Sequence, residues 1–403
     1  MSVHKPNEYF QQLNQVLKNH HRAIPCLCID LNSLDENITV LTSNFNENTA
    51  FRIVVKSLPS FELIQYITEQ TNTQNFMVFH QPFLTELSSK FNEKADILLG
   101  KPMPIKTAHF FYDNLPEQTN GFNPYRQIQW LVDTKLRIQQ YIELTKKIGQ
   151  KLRLNLELDV GLHRGGFSNI KDLKAALQII EAYQDNIEFS GFMGYDPHVV
   201  KLPSMLRSKE KALRLANDFY EACKALVQED FSDLWNEKLT FNGAGSPTIN
   251  LHKTIDSPLN DISAGSCLVM PTTFDIPTLQ AYQQACYVAT PVLKKFEGTT
   301  IPALESMKNM LNWVDSSHRK SYFIYGGFWK ADYCYPKGIK QNKLFGTSTN
   351  QTMLNAPKST ELDVDDFVFL RPHQSEFVFL QFGEILAVRN DKIEETWTVL
   401  RNY

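Results

Sequence analysis

The sequence predicts an α/β fold: a TIM-type (β/α)8 barrel followed by a smaller, mainly antiparallel β domain. Three observations lead there. Short apolar strand candidates recur eight times between residues 52 and 266, amphipathic stretches separate most of them, and after about residue 275 helical rhythm gives way to β-rich segments. The first region is close in length to one barrel.

Composition narrows the class. Of 403 residues, 42% are hydrophobic and 21% charged, ordinary globular values that exclude a disordered or fibrous chain. A formal charge of −3 leaves no basic excess for a phosphate backbone, so no nucleic-acid partner is expected. The amino end lacks the apolar core of a signal segment, and no apolar run is long enough to cross a bilayer; the expectation is a cytoplasmic protein with no membrane partner. Cys26, Cys28, Cys223, Cys267, Cys286 and Cys334 are scattered without a C-x-x-C pair, which reads as reduced, buried thiols.

In chain order, residues 1–24 read as a lead-in helix, with Tyr9, Phe10, Leu13, Val16 and Leu17 at helical spacing, expected to pack on the second domain. Residues 25–275 form the barrel domain, which opens on a strand reaching Asp30 and a helix from Leu31. Barrel strands are expected at 52–56, 76–80, 95–99, 128–133, 153–159, 187–195, 239–243 and 261–266. Helices are expected at Phe61 to Thr71, Phe83 to Phe91, Lys135 to Ile148, Ile170 to Tyr183 and Arg207 to Val227, with the weakest spacers after the third and seventh strands. Residues 276–403 form the β-rich domain, with strands at 285–293, 321–325, 366–370, 385–389 and 397–400 and a turn at Asn390-Asp391.

The loops after barrel strands gather at one mouth, so their residues can be read as one set. The run Phe51-Arg52-Ile53-Val54-Val55-Lys56 is apolar on both sides, as in a strand buried on both faces, and it delivers Lys56 to that mouth. A lysine so placed is a candidate for Schiff-base formation with a carbonyl group. After the seventh and eighth strands come Gly243-Ala244-Gly245-Ser246-Pro247-Thr248 and Gly265-Ser266. Glycines allow a backbone to approach an anion closely, and Ser246, Thr248 and Ser266 can donate hydroxyls, so these loops fit a phosphate cup. An amine at one loop and a phosphate cup at another is the layout that pyridoxal phosphate requires. Arg164, on a glycine-flanked loop, suits a phenolate or a carboxylate, with a rim salt bridge as the bland alternative. Tyr195 at a strand end can line a ring or simply fill the core, and His163 and His198 are acid–base candidates or packed residues.

These segments resemble the fold-type III pyridoxal-phosphate enzymes: the alanine racemase amino-terminal barrel and, more closely, the D-threonine aldolase and D-serine dehydratase family. The resemblance rests on Val54-Val55-Lys56-Ser57, Asp159-Val160-Gly161-Leu162-His163-Arg164-Gly165-Gly166 and Gly191-Phe192-Met193-Gly194-Tyr195. It implies that Lys56 carries the cofactor, that Arg164 and Tyr195 flank its ring, and that Gly243, Gly245, Ser246, Gly265 and Ser266 hold its phosphate. It further implies a homodimer, with sites between the barrel of one subunit and the second domain of the other.

The sequence departs from that pattern in two places. Ser263 stands where alanine racemases carry an arginine facing the pyridine nitrogen. The family's metal-binding His-x-Cys or His-x-Asp pair corresponds to His373-Gln374-Ser375, and serine is a poor ligand, so no divalent metal is expected there; Glu376 would point the other way on a strand. The implied activity is a lyase that acts on a D-hydroxy amino acid by retro-aldol cleavage or β-elimination. An amino-acid racemase and a non-catalytic pyridoxal-phosphate binder are the alternatives, and a second domain able to close the mouth favours an enzyme.

Overall fold

The structure is a computed structural model that describes residues 6–19, 22–43, 45, 48–117, 119–201, 203, 205, 207–253, 256–299, 320–390 and 392–401. Residues 1–5, 20 and 21 of the expected lead-in helix, and Asp391 of the expected turn, lie outside these. The chain divides into two compact units, one of Ile38–Cys267, Ile276–Ala281 and Leu400–Tyr403, the other of Met1–Asn37, Leu268–Asp275 and Tyr282–Val399.

The first unit is a closed barrel of parallel strands: β2 (Ala50–Val54), β3 (Asn75–Val78), β4 (Asp96–Leu99), β5 (Ile128–Val132), β6 (Leu152–Glu157), β7 (Ile187–Gly194), β8 (Thr240–Gly243) and β9 (Asp261–Ala264). β2 closes on β9 with Arg52 opposite Ser263. The intervening helices start where small polar side chains can satisfy their first N–H groups. Ser60, Thr134, Asn169 and Ser208 each accept from the third residue of the helix that follows. The helix Lys135–Ile148 stops at Gly149, whose φ of +66° suits a residue without Cβ. At Gly191 a Cβ would lie 2.0 Å from the Thr240 carbonyl oxygen, so only glycine lets β7 and β8 come together there.

The barrel interior is polar where barrels of this class ordinarily hold layers of branched aliphatic residues. Arg52, 1% exposed, donates from Nε and Nη2 to the two Asp261 oxygens at 2.9 Å each and from Nη2 to Asp96 at 2.9 Å. Arg153 also holds Asp96, at 2.6 Å, while Gln129 donates to Asp96 at 2.7 Å and receives from Asn155 at 3.1 Å. Asn242 donates to both Asp261 and Ser263. Asp261 and Asp96 keep the Arg52 guanidinium charged against the cost of burial.

The second unit holds, among the described residues, a nine-stranded sheet: β1 (Cys26–Asp30), β10 (Cys286–Glu297), β11 (Lys320–Tyr325), β12 (Ala331–Tyr335), β13 (Lys340–Gln341), β14 (Gln351–Ala356), β15 (Phe367–Pro372), β16 (Glu384–Arg389) and β17 (Lys392–Thr398). β1, grouped with the barrel domain from the sequence, belongs here instead. Cys28 pairs antiparallel with Tyr287 and parallel with Leu386, so both edges of β1 are satisfied by late strands. The helix Pro6–Lys18 buries Phe10, Leu13 and Leu17 in one cluster with Tyr287, Phe367, Phe369 and Leu386. Each such side chain contributes roughly 1.5–3 kcal/mol on burial.

Candidate active site at the barrel mouth

Lys56 does not end its strand; β2 stops at Val54, and the lysine sits on a 3-10 turn, Val55–Ser57. It is half-buried, with Nζ 4.7 Å from the centroid of the Phe79 ring. Phe79 is admitted because Gly100 faces it, where a Cβ would fall 2.1 Å from Cζ of that ring.

The loop after β9 packs against the same turn. A Cβ at Gly265 would lie 2.8 Å from the Val54 carbonyl oxygen and 3.0 Å from Ser57 Cβ, and Ser266 Oγ donates to Ser57 Oγ at 2.9 Å. Ser246, from the loop after β8, accepts the N–H of Gly265 at 3.3 Å and of Cys267 at 3.1 Å. Gly245 lies under Tyr195, with a Cβ there 2.5 Å from Cε2 of the ring, and the Arg164 guanidinium sits 5.2 Å from the centroid of that ring. One run of contacts therefore joins Ser57, beside Lys56, through Ser266 and Gly265 to Ser246, and a second joins Gly245, Tyr195 and Arg164.

Two expected members do other work. The missing Cβ of Gly243 faces Leu259 Cδ1 at 2.6 Å and the Gly194 carbonyl at 3.0 Å, so its glycine serves packing. Thr248 spends its hydroxyl on Asp196 Oδ1 at 2.6 Å, which removes it as a phosphate donor.

The sequence reading missed a buried relay beside these loops. His252 Nε2 lies 2.7 Å from Asp196 Oδ2, and its Nδ1 lies 2.9 Å from Ser257 Oγ. Burial alone would raise the Asp196 carboxyl, but His252 and the Thr248 hydroxyl hold it below the usual range. This relay ties the loop that carries Tyr195 to the loop that carries Ser246. An Asp and a Thr flanking the recognised Tyr195 and Ser246 were the available signal.

His163 takes a φ of +57° and places Nδ1 3.0 Å from Asp159 Oδ2, while its N–H and that of Gly161 donate to Asp159 Oδ1. Those bonds hold the Asp159 carboxyl low despite its burial. His198 is buried with Nδ1 lacking a partner among the described residues, and burial lowers its pKa. Burial, then Lys101 and Lys56, lower His80, which follows β3. Glu157, the last residue of β6, is 7% exposed, and burial raises its carboxyl.

In the second unit, His373 Nε2 lies 3.0 Å from Asp332 Oδ1. Ser375–Val378 is a helical turn, where a strand had been expected, and Ser375 is fully buried at its start. Among the described residues, no group of three or more His, Cys, Asp or Glu could hold a metal ion. No helix is long and apolar enough to cross a membrane.

A family model, alanine racemase N-terminal domain, matches residues 29–272. No curated protein sequence matches. Among solved structures, D-threonine aldolase from Filomicrobium marinum is similar at 15% identity, covering 94% of this chain and 98% of that one with a TM-score of 0.70. D-threo-3-hydroxyaspartate dehydratase from Delftia sp. HT23 is similar at 15% identity, covering 96% and 100% with a TM-score of 0.69. Alanine racemase from Clostridium difficile 630 is similar at 13% identity, covering 94% and 99% with a TM-score of 0.68. At these identities the likeness is one of fold.

Proposed function

Because the chain belongs to the alanine racemase N-terminal domain family, we propose that it is a fold-type III pyridoxal-phosphate enzyme, a lyase that cleaves or dehydrates a D-hydroxy amino acid at Lys56. The observation that carries this reading is the packing of the Lys56 turn against the Gly265–Ser266 loop, through the Ser57–Ser266 hydrogen bond. It supports the reading because it sets the Lys56 turn beside the glycine-bearing loop after β9.

The residues fit the cofactor. At Gly245 and Gly265 a Cβ would collide with the Tyr195 ring and the Val54 carbonyl oxygen, so glycine is what lets these two loops pack on their neighbours and present backbone beside Ser246. Ser246 already accepts two N–H groups, which leaves its own hydroxyl hydrogen to donate to an anion. When bound, the cofactor supplies an electron sink for the bond broken at the α-carbon. Lys56 Nζ would hold the cofactor and, once freed, would move a proton at the substrate α-carbon. Ser246 and the backbone around Gly265 would hold its phosphate, and Tyr195 and Arg164 would flank its ring.

The test is direct. Protein mixed with pyridoxal phosphate is expected to gain a near-visible absorption band that borohydride abolishes, and digestion should place the reduced adduct on Lys56. An adduct spread over surface lysines sinks the assignment. Racemisation is the second reading, favoured by the family whose model matches. Turnover of D-serine or D-threonine to an oxo acid or aldehyde, without formation of the L-isomer, decides for the lyase.

The second unit exposes Phe328 at 68%, Leu344 at 62% and Phe377 at 50%, apolar area that fits a contact between copies of the chain. A homodimer is the proposed assembly. Light scattering that gives the mass of one chain for fully active protein would refute it.

A further inference from the structure

Glu157 has no place in the roles just given, yet its setting is that of a reactive group. It is the last residue of β6, two positions on from Asn155 and four from Arg153, whose side chains meet Gln129 and Asp96 inside the barrel. Period-two alternation therefore turns its carboxyl inward, at the mouth end. More than nine-tenths of the residue is buried; its carboxyl makes no hydrogen bond among the described residues, and its oxygens are not sealed from solvent. A carboxyl held at the mouth with its hydrogen-bonding capacity unspent is placed to meet a molecule that binds there.

The loop after β6 is folded back over this carboxyl. Phe167 N–H donates to the Glu157 carbonyl at 2.8 Å, and at Gly166 a Cβ would lie 2.7 Å from that same oxygen. At Gly165 a Cβ would lie 3.7 Å from Glu157 Oε2, so the chain runs close to the side chain as well. Around the closed barrel, β6 is the fourth strand from β2 in either direction, which puts Glu157 on the wall opposite Lys56.

We infer that Glu157 is the general acid of a β-elimination, giving its proton to the β-hydroxyl oxygen of the substrate from the side opposite Lys56. This rests on the pyridoxal-phosphate reading above and narrows it to dehydration, since retro-aldol cleavage removes a proton from that hydroxyl. In the step, Lys56 Nζ takes the α-proton, and the electron pair of that C–H bond becomes the Cα–Cβ double bond. The Cβ–O bond breaks, and the oxygen takes the Glu157 proton and leaves as water. Lys56 and Glu157 then return to their starting forms by exchanging protons with solvent.

The surroundings suit an acid. Burial pushes the carboxyl above its ordinary value; Arg164 acts against this, while Asp133 at the end of β5 and Asp159 after β6 push the same way. A carboxyl so placed keeps its proton to higher pH than an exposed one.

Leaving-group chemistry provides the experiment. Water must be protonated to leave, whereas chloride need not be. In the reconstituted full chain, Glu157→Gln is expected to lower kcat/KM for D-serine by roughly a hundredfold or more while leaving β-chloro-D-alanine within a few-fold of wild type. Glu157→Asp should retain part of the D-serine activity, with its alkaline limb moved. Cofactor-free wild-type protein should also show an infrared carboxylic-acid band, at a pH where exposed carboxyls have ionised, that Glu157→Gln lacks. Equal losses on both substrates would mean a structural role and overturn the inference, as would unchanged D-serine turnover. Wild-type protein that takes up the cofactor but eliminates neither substrate also overturns it, and leaves the cofactor reading standing. Failure to take up the cofactor at all sinks that reading, and this one with it.

Discussion

Protein carrying Lys56→Ala is expected to fold normally, to show no borohydride-sensitive band with pyridoxal phosphate, and to lose roughly a thousandfold or more in turnover. Two separate losses combine in that figure: the covalent joint that fixes the cofactor and the amine that moves the α-proton. The backbone turn should survive, because two of its bonds are made by other groups. Leu58 N–H donates to the Val55 carbonyl at 3.0 Å, and Ser57 keeps its bond to Ser266 at 2.9 Å. Circular dichroism and thermal melting alongside the absorption titration separate a chemical loss from a structural one. A variant that still forms the band, trapped at another lysine, would remove Lys56 from the mechanism.

The second large effect concerns the fold itself. Arg52→Met is expected to destabilise the barrel by about 3–5 kcal/mol, the range for breaking a buried ion pair by removing one partner. Asp261, with its side chain 5% exposed, would lose both of its Arg52 contacts and keep, among the described residues, only the amide of Asn242. Asp96 would fare better, since Arg153 and Gln129 remain. Adding Asp261→Asn should recover part of the loss by removing the stranded charge. Urea unfolding of the cofactor-free protein measures both variants. A loss below about 1 kcal/mol for Arg52→Met would mean that water or a neighbour replaces the guanidinium.

Much of the barrel could be read from the chain. The eight expected strands fall within a few residues of those observed, because each holds a short apolar stretch set off from its neighbours by turn residues or amphipathic spacers. Of the two spacers expected to be weakest, the one after the seventh strand holds only turns and bends among its described residues, while the one after the third holds a helix, Ile105–Asp113. The interior of the barrel was harder. Arg52 lies in a run otherwise apolar, and nothing local shows that its charge meets Asp261, more than two hundred residues later. The same holds for β1, whose two neighbours in the sheet are β10 and β16. Strand pairing over such separations leaves no trace in local periodicity.

The site shows the same division. Lys56, Tyr195, Ser246, Gly265 and Ser266 could be singled out as candidates from the sequence because they follow strand candidates whose loops share one mouth, and the structure packs the Lys56, Gly265 and Ser246 loops together. Glu157 was not, although Arg153, Asn155 and Glu157 stand at every second position of one strand, a polar alternation that marks an inward face. Thr248 was read as a phosphate donor because a hydroxyl in a Gly-Ser-Pro-Thr turn can serve that purpose; the fold gives it to Asp196.

By itself, the order of residues determined where strands and helices begin, which loops share one mouth, and which amine stands there, since those follow from local pattern and connection order. Only the tertiary structure decided which polar groups are left without a partner. A hydrogen bond or ion pair is settled by what arrives from elsewhere in the chain, so Thr248 could be occupied and Glu157 left open by contacts that no neighbouring residue foretells.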